Sequence, residues 1–214
     1  MGETGDVRID HVVTSGVFSL DGQNFAVENN IWILGDDREV IVVDAAHDAG
    51  PIVEAVDDRR VVAVVCTHGH NDHINAALDL HGFAGAAPIA LHPGDKMLWN
   101  QVYTARGPDR PLADGQVIEV AGTRVEVIHT PGHSPGGVCL YWRDGGVLFS
   151  GDTLFQGGPG ATGRSYSDFG TIIESIRDRL LVLPPGTVVH TGHGPSTTVG
   201  DEAPHLQEWV NRGH

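Results

Sequence analysis

Val61-Val62-Ala63-Val64-Val65-Cys66-Thr67-His68-Gly69-His70-Asn71-Asp72-His73 is the stretch on which the reading of this chain turns. Its first six residues are a continuous apolar run, the pattern of a strand buried on both faces. The run stops abruptly at four potential metal ligands, His68, His70, Asp72 and His73, within six residues. Zinc is bound by imidazole nitrogen and carboxylate oxygen, and a short loop between a strand and a helix can hold such groups at fixed geometry. His68 and His70 alternate, as at the end of an extended strand. Asp72 and His73 are adjacent and point apart unless a turn intervenes. One metal is served poorly by all four; two metals, His68/His70 on one and Asp72/His73 on the other, fit the spacing better.

Outward from this loop the chain alternates strands and helices. Residues 7–14, 25–34 and 40–44 read as early strands, β-branched and aromatic, divided by Gly/Asp/Asn turns. A short helix is expected over 51–57, with Pro51 near its start. Apolar spacing at Ile74, Ala77, Leu78 and His81 indicates a helix after the ligand loop, capped by Asn71. A strand at 88–91 and a helix over 96–103 follow. A second strand set is expected at 117–120, 123–128, 137–142 and 146–150. The best amphipathic helix covers 169–181, and a strand at 187–190 and a helix at 204–212 close the chain. Two strand-rich halves, each followed by helices, predict an α/β chain with a two-sheet core and helices outside.

The 214 residues, 40% hydrophobic with 29 glycines, fit one globular domain. No apolar run approaches the ~18 residues of a membrane span. The opening Met1–Asp6 carries no targeting signal, so a cytoplasmic location is expected. The net charge of -15 offers no basic face, which disfavours nucleic acid and anionic membrane surfaces as partners. Cys66 and Cys139 both sit in apolar runs and read as reduced core residues. The 13 histidines are the anomaly. Three later residues have settings like those of the ligand loop: His133 in Thr130-Pro131-Gly132-His133-Ser134-Pro135-Gly136, Asp152 in Ser150-Gly151-Asp152-Thr153, and His193 in Thr191-Gly192-His193-Gly194. All three follow predicted strands, where a sheet presents distant residues to one point.

On these motifs, from about Val7 to His193, the chain resembles the metallo-β-lactamase-fold hydrolases, and most closely their glyoxalase II-like (hydroxyacylglutathione hydrolase-like) branch. The resemblance implies a four-layer αβ/βα sandwich of two mixed sheets flanked by helices, as a single domain over 1–214. It assigns His68, His70 and His133 to one metal and Asp72, His73 and His193 to the other, with Asp152 bridging. Two divalent ions are implied, zinc first, with iron or manganese also compatible with such ligands. A water between them would be acidic enough to supply hydroxide near pH 7, and Asp72 would also orient it as the catalytic carboxylate. His47, His81, His92, His129, His190, His205, His11 and His214 lack motif positions and read as bystanders, His47 as ordinary loop. Asp44 is either a partner that orients a ligand histidine or a solvated turn residue.

The expected substrate is a small acyl-thiol. A thiolate leaves without a proton donor, and no further acid occupies a motif position. Asp152 stands where one branch of zinc β-lactamases carries Cys, and Phe155 stands where lactonases tend to carry Tyr. In the family the segment 157–168 borders the substrate pocket. There Arg164 either pairs with a substrate carboxylate or anchors its loop, Tyr166 stacks or hydrogen-bonds, and Asp168 caps the next helix. Only 21 residues follow His193, so no separate C-terminal thiol-recognition domain is expected and glutathione specificity does not carry over. The competing expectations are a mononuclear-iron persulfide dioxygenase, whose relatives share the ligand loop and a Gly-Arg like Gly163-Arg164, a lactone or other ester hydrolase, and a non-catalytic metal scaffold. Either a monomer or a homodimer fits the sequence.

Overall fold

Side chains along a strand alternate between its two faces, and one strand of this protein shows what that does. Ile31 and Ile33 pack against helices, whereas Trp32 and Leu34 face a second sheet. The computed structural model describes residues 6–213. His214 and all of the opening stretch but Asp6, read above for a targeting signal, lie outside the described residues.

The chain begins with β1 (Arg8–Leu20), β2 (Gln23–Gly35) and β3 (Glu39–Val43), then α1 (Ala49–Val56) and β4 (Arg60–Val65). The ligand loop leads into α2 (Asn71–Ile74) and α3 (Ala77–Phe83). Next come β5 (Ile89–Leu91), a 3₁₀ turn at Pro93–Asp95, α4 (Lys96–Val102) and β6 (Arg110–Pro111). The second half contains β7 (Val117–Val120), β8 (Thr123–His129), β9 (Val138–Trp142), β10 (Val147–Gly151), β11 (Leu154–Phe155) and β12 (Gly158–Pro159). It continues with α5 (Phe169–Ser175), a π-helical turn at Ile176–Leu180, β13 (Val188–Thr191), β14 (Thr197–Thr198), α6 (Val199–Glu202), a 3₁₀ turn at Ala203–His205 and α7 (Leu206–Arg212).

One mixed sheet has the order β1-β2-β3-β4-β5-β6, the other β14-β13-β10-β9-β8-β7. Their facing sides form an apolar layer that includes Leu34, Val43, Val65, Val127, Leu140 and Phe149. The outer side of the first sheet packs on α1, α3 and α4 through Val42, Val64, Ile52, Leu80 and Trp99. The outer side of the second packs on α5 and α7 through Cys139, Leu148, Ile172 and Trp209. The expected four layers are therefore present: helices, sheet, sheet, helices. Burying both faces of β4 explains its unbroken apolar run. Among the described residues no helix is long and apolar enough to cross a membrane.

Several boundaries differ from expectation for identifiable reasons. β1 runs on to Leu20 because Asp21 and Gly22, at φ 53° and 72°, close a two-residue hairpin in register with Gln23. Asn71 does not cap the helix after the ligand loop. Its side chain instead donates to the Val17 carbonyl and accepts from the Ser19 amide, tying the hairpin to that loop. That helix also breaks in two, at Ile74 and Ala77. The amphipathic helix begins as expected, with Asp168 accepting from the Thr171 amide, but its second half is π-helical. Cys66 and Cys139 are buried and free, and burial pushes both thiols up, Cys139 to about 11.

Candidate metal centre

The ends of the strands carry the chemistry. β4 delivers His68 and His70, α2 delivers Asp72 and His73, and the loop after β8 delivers His133. β10 delivers Asp152, and β13 delivers His193. A bulge at Ser150 shifts the register of β10 against β13, which re-aims the residues beyond it. Gly192 makes room for the result: a Cβ there would stand 2.3 Å from Asp152 Oδ1 and 2.8 Å from His73 Cε1.

All seven sequence-predicted ligands come together, in overlapping groups. His68, His70 and His133 form one; Asp72, His73 and His193 form another; a third joins His68, His73 and Asp152. Within each, one ligand atom per residue lies within 4.8 Å of every other. Asp152 lies between the first two groups, 3.4 Å from His73 Nε2, 3.4 Å from His193 Nε2 and 3.6 Å from His133 Nε2. His70 Nδ1 is 3.0 Å from His133 Nε2, and His73 Nε2 is 3.2 Å from His193 Nε2. Tetrahedral ligands about 2.0–2.1 Å from one ion stand about 3.3 Å apart, so these spacings suit a shared cation.

The rings are aimed from behind. His73 Nδ1 donates to Asp44 Oδ2 at 2.8 Å, His133 Nδ1 to the Ala161 carbonyl at 2.7 Å, and His193 Nδ1 to the Glu28 carbonyl at 2.7 Å. The Thr67 hydroxyl donates to Asp44, so it accepts from His68 Nδ1 at 3.1 Å. In four rings the second nitrogen is thereby tied to oxygen and Nε2 faces inward, the usual arrangement of a metal-binding histidine. Asp44 is thus a buried orienting residue and not a solvated turn. Its left-handed φ of 58° is one that Asp tolerates.

Inward-facing atoms also lack partners. His68 Nε2, Asp72 Oδ1 and Asp152 Oδ1 are buried without a hydrogen bond, a costly condition that a bound cation relieves. The donor set and these orphaned atoms fit one or two divalent ions. Electrostatics differ across the centre. Burial, with neighbouring histidines, holds His68 well below the usual imidazole range and His70 at about 3. Burial opposes protonation of His73 and His193 too, but Asp152 and Asp72 overcome it, raising His73 and taking His193 to about 10. Burial works against ionisation of Asp72, yet His73 and His193 hold it at about 2, and the same two rings hold Asp152 well below the usual carboxylate range.

Three functional neighbours escaped the sequence reading. Asp95 is fully buried and accepts from the Gly69 amide, the Ser134 hydroxyl and the Gly136 amide, clamping the ligand loop to the His133 loop. Asn29 touches Asp72, His73 and His193. His47, expected to be ordinary loop, donates to Asn29 and so belongs to the surroundings of the centre. Loop position and lone-residue spacing carry no signal for such contacts, which arise only when strands meet.

The expected substrate-side residues are less converged. Phe155 is half-buried with its ring 6.4 Å from that of His193. Arg164 donates to Gln23 and covers the Phe25 ring at 4.6 Å, and the Ser165 amide donates to Asp21, so this loop grips the β1–β2 hairpin tip. Tyr166 is exposed, at φ 71°.

Residues 25–193 match the Metallo-beta-lactamase superfamily. The chain belongs to this superfamily. Among its relatives, hydroxyacylglutathione hydrolase GloC of Haemophilus influenzae is 31% identical over 189 residues, covering 82% of this chain and 89% of the relative. The structure of TTHA1623 in a di-iron-bound form aligns at a TM-score of 0.74 with 32% identity, over 83% of this chain and 93% of that one. A B3 metallo-beta-lactamase, BLEG-1, aligns at 0.79 with 29% identity, over 92% and 100%. The superfamily and the paired His/Asp clusters together support a metal-dependent, hydrolase-type enzyme of the glyoxalase II-like branch.

Proposed function

We propose that the protein hydrolyses a thioester of a low-molecular-weight thiol at a dinuclear centre. The observation that carries this reading is the placement of Asp152, within 3.4–3.6 Å of imidazoles from both clusters. His68, His70 and His133 would hold one ion, Asp72, His73 and His193 the other, with Asp152 shared. Bound divalent ions would supply Lewis acidity for the carbonyl and an acidified water as nucleophile. Zinc suits the ligands, and the di-iron form of the TTHA1623 relative makes iron a second candidate.

The chain's own residues narrow the substrate. Asp72 and Asp152 both remain carboxylates far below neutral pH, so neither donates a proton to a poor leaving group. A thiolate needs no donor, because thiols ionise near pH 8.5; an amide nitrogen does. Asp44 and Thr67 hold His73 and His68 in one tautomer. Phe155 lies beside His193 and offers an apolar wall to an acyl group.

The test is metal analysis of the native protein beside a panel of acyl-thiols, with lactones and persulfides as controls. Two zinc or iron ions and thioester turnover are expected. A single iron with persulfide-dependent oxygen uptake would replace this reading with a dioxygenase.

A further inference from the structure

Asn29 sits on β2 with its side chain fully buried against the second cluster. Which end of its amide faces that cluster follows from three linked contacts. The His47 backbone amide donates to Asn75 Oδ1 at 2.6 Å. A backbone N–H is a donor only, so the Asn75 oxygen is fixed in place. Asn75 Nδ2 then faces His47 Nδ1 at 3.2 Å, and that nitrogen must accept. The His47 proton is therefore on Nε2, where it donates to Asn29 Oδ1 at 2.9 Å. Asn29 is left with Nδ2 toward the centre, 3.2 Å from Asp72 Oδ2, 3.3 Å from His73 Nε2 and 3.5 Å from His193 Nε2.

Those three spacings are the ones expected of a further ligand of the same ion, yet the atom that occupies the position is a donor without a lone pair. Turned around, the amide would offer a carbonyl oxygen. His47 prevents the turn. It stands in a left-handed conformation, φ 59°, over Gly16, where a Cβ would lie 2.2 Å from the imidazole. Among the described residues no corresponding amide is hydrogen-bonded to His68, His70 or His133.

Resting on the dinuclear reading above, we propose that Asn29, locked by His47 with its N–H inward, sets how weakly the second cluster holds its ion and so whether the protein works with one metal or two. The amide keeps Asp72 in place through Oδ2 while denying the ion a fourth oxygen or nitrogen unique to that cluster.

The experiment titrates the wild type, Asn29→Asp and His47→Leu with zinc against a competing chelator, and reads each ion's affinity separately. Asn29→Asp places a carboxylate oxygen at the position and tightens the second ion about tenfold or more, with the first ion unmoved. His47→Leu frees the amide to turn and shifts the second ion the same way by less. Nitrogen-15 NMR of the metal-free wild type should show His47 protonated on Nε2. A His47 proton on Nδ1, unchanged affinities in both variants, or both ions shifting together would each overturn the inference. If the wild type takes up one ion and Asn29→Asp takes up two, the inference stands. One ion in every variant overturns it along with the dinuclear reading, whereas two unmoved ions in all of them overturn it alone.

Discussion

The group of His68, His70 and His133 and the group of Asp72, His73 and His193 lie side by side with Asp152 between them, and differ in almost everything else. The first is all imidazole. Burial and mutual repulsion keep His68 and His70 neutral, ready to bind a cation without losing a proton. The second carries its own carboxylate, which with Asp152 raises His73 and His193 well above the usual imidazole range. One group is ready but weakly attractive; the other is attractive but occupied by protons. They are also held differently. Asp95 secures the first through the backbones of its loops, whereas Asp44 bonds directly to the His73 ring.

Removing the shared residue breaks the comparison most severely. Asp152→Ala should lower acyl-thiol hydrolysis about a thousandfold, close to the several kcal/mol of charge stabilisation that a Lewis acid supplies. Metal analysis of the same variant should show both ions weakened. A variant that loses only one ion would mean that Asp152 serves one cluster. Asp44→Asn is next. It keeps the volume but loses the charge behind His73, so the second ion should weaken about 10- to 100-fold, read by chelator competition. Because Asp44 reaches His68 only through Thr67, the first ion should move less.

pH separates the clusters without mutation. At pH 8 His193, at about 10, is protonated, and His70, at about 3, is not. Loading the second cluster must therefore release at least about one proton, while loading the first releases none from His70. The second ion's affinity should climb at least about tenfold per pH unit toward pH 10, more steeply than the first ion's. In the metal-free protein the sign follows from the raised value. The stabilisation from protonated His193 is complete below its unfolded pKa and is lost as pH rises through about 10. Proton release equal for the two ions, measured in weakly buffered indicator solution, would dissolve the distinction.

The ligands were legible because four share the loop after β4 and the other three each sit in a short motif after a strand, and strand ends converge by topology. The layers were legible because β4 is apolar from Val61 onward and α5 has a clear apolar face. What sets the clusters apart was not. Asn29 sits within a strand like any other strand residue, and His47 looks like a turn. Asp95 occupies an ordinary Pro-Gly-Asp turn, yet it spans two loops more than thirty residues apart in the chain. The left-handed backbone of Asp44 and His47 is only weakly signalled, since Asp and His adopt it more often than most residues but far less often than Gly. Asp95→Asn tests the contact that spacing could not reveal. It sets an amide N–H against at least one backbone donor, the Gly136 N–H in the less crowded orientation, and should destabilise the fold by about 2 kcal/mol in denaturant unfolding. The loss should fall on the first cluster's loops and spare the proton release of the second.

The smallest effect is expected at Arg164, the residue whose role the sequence left divided. Its guanidinium is engaged by Gln23 and the Phe25 ring, and its neighbour Ser165 by Asp21. A cation over an exposed ring is worth about 0.5–1 kcal/mol, so Arg164→Ala should cost about that much stability. Both ions should bind as in the wild type, because the arginine touches neither cluster through any of these contacts. Acyl-thiols with and without a carboxylate then distinguish the two roles. An anchoring arginine leaves their KM ratio unchanged. A substrate-pairing arginine raises KM for the carboxylate-bearing member alone, and that outcome would return Arg164 to the substrate and leave the hairpin held by Ser165 and Asn71.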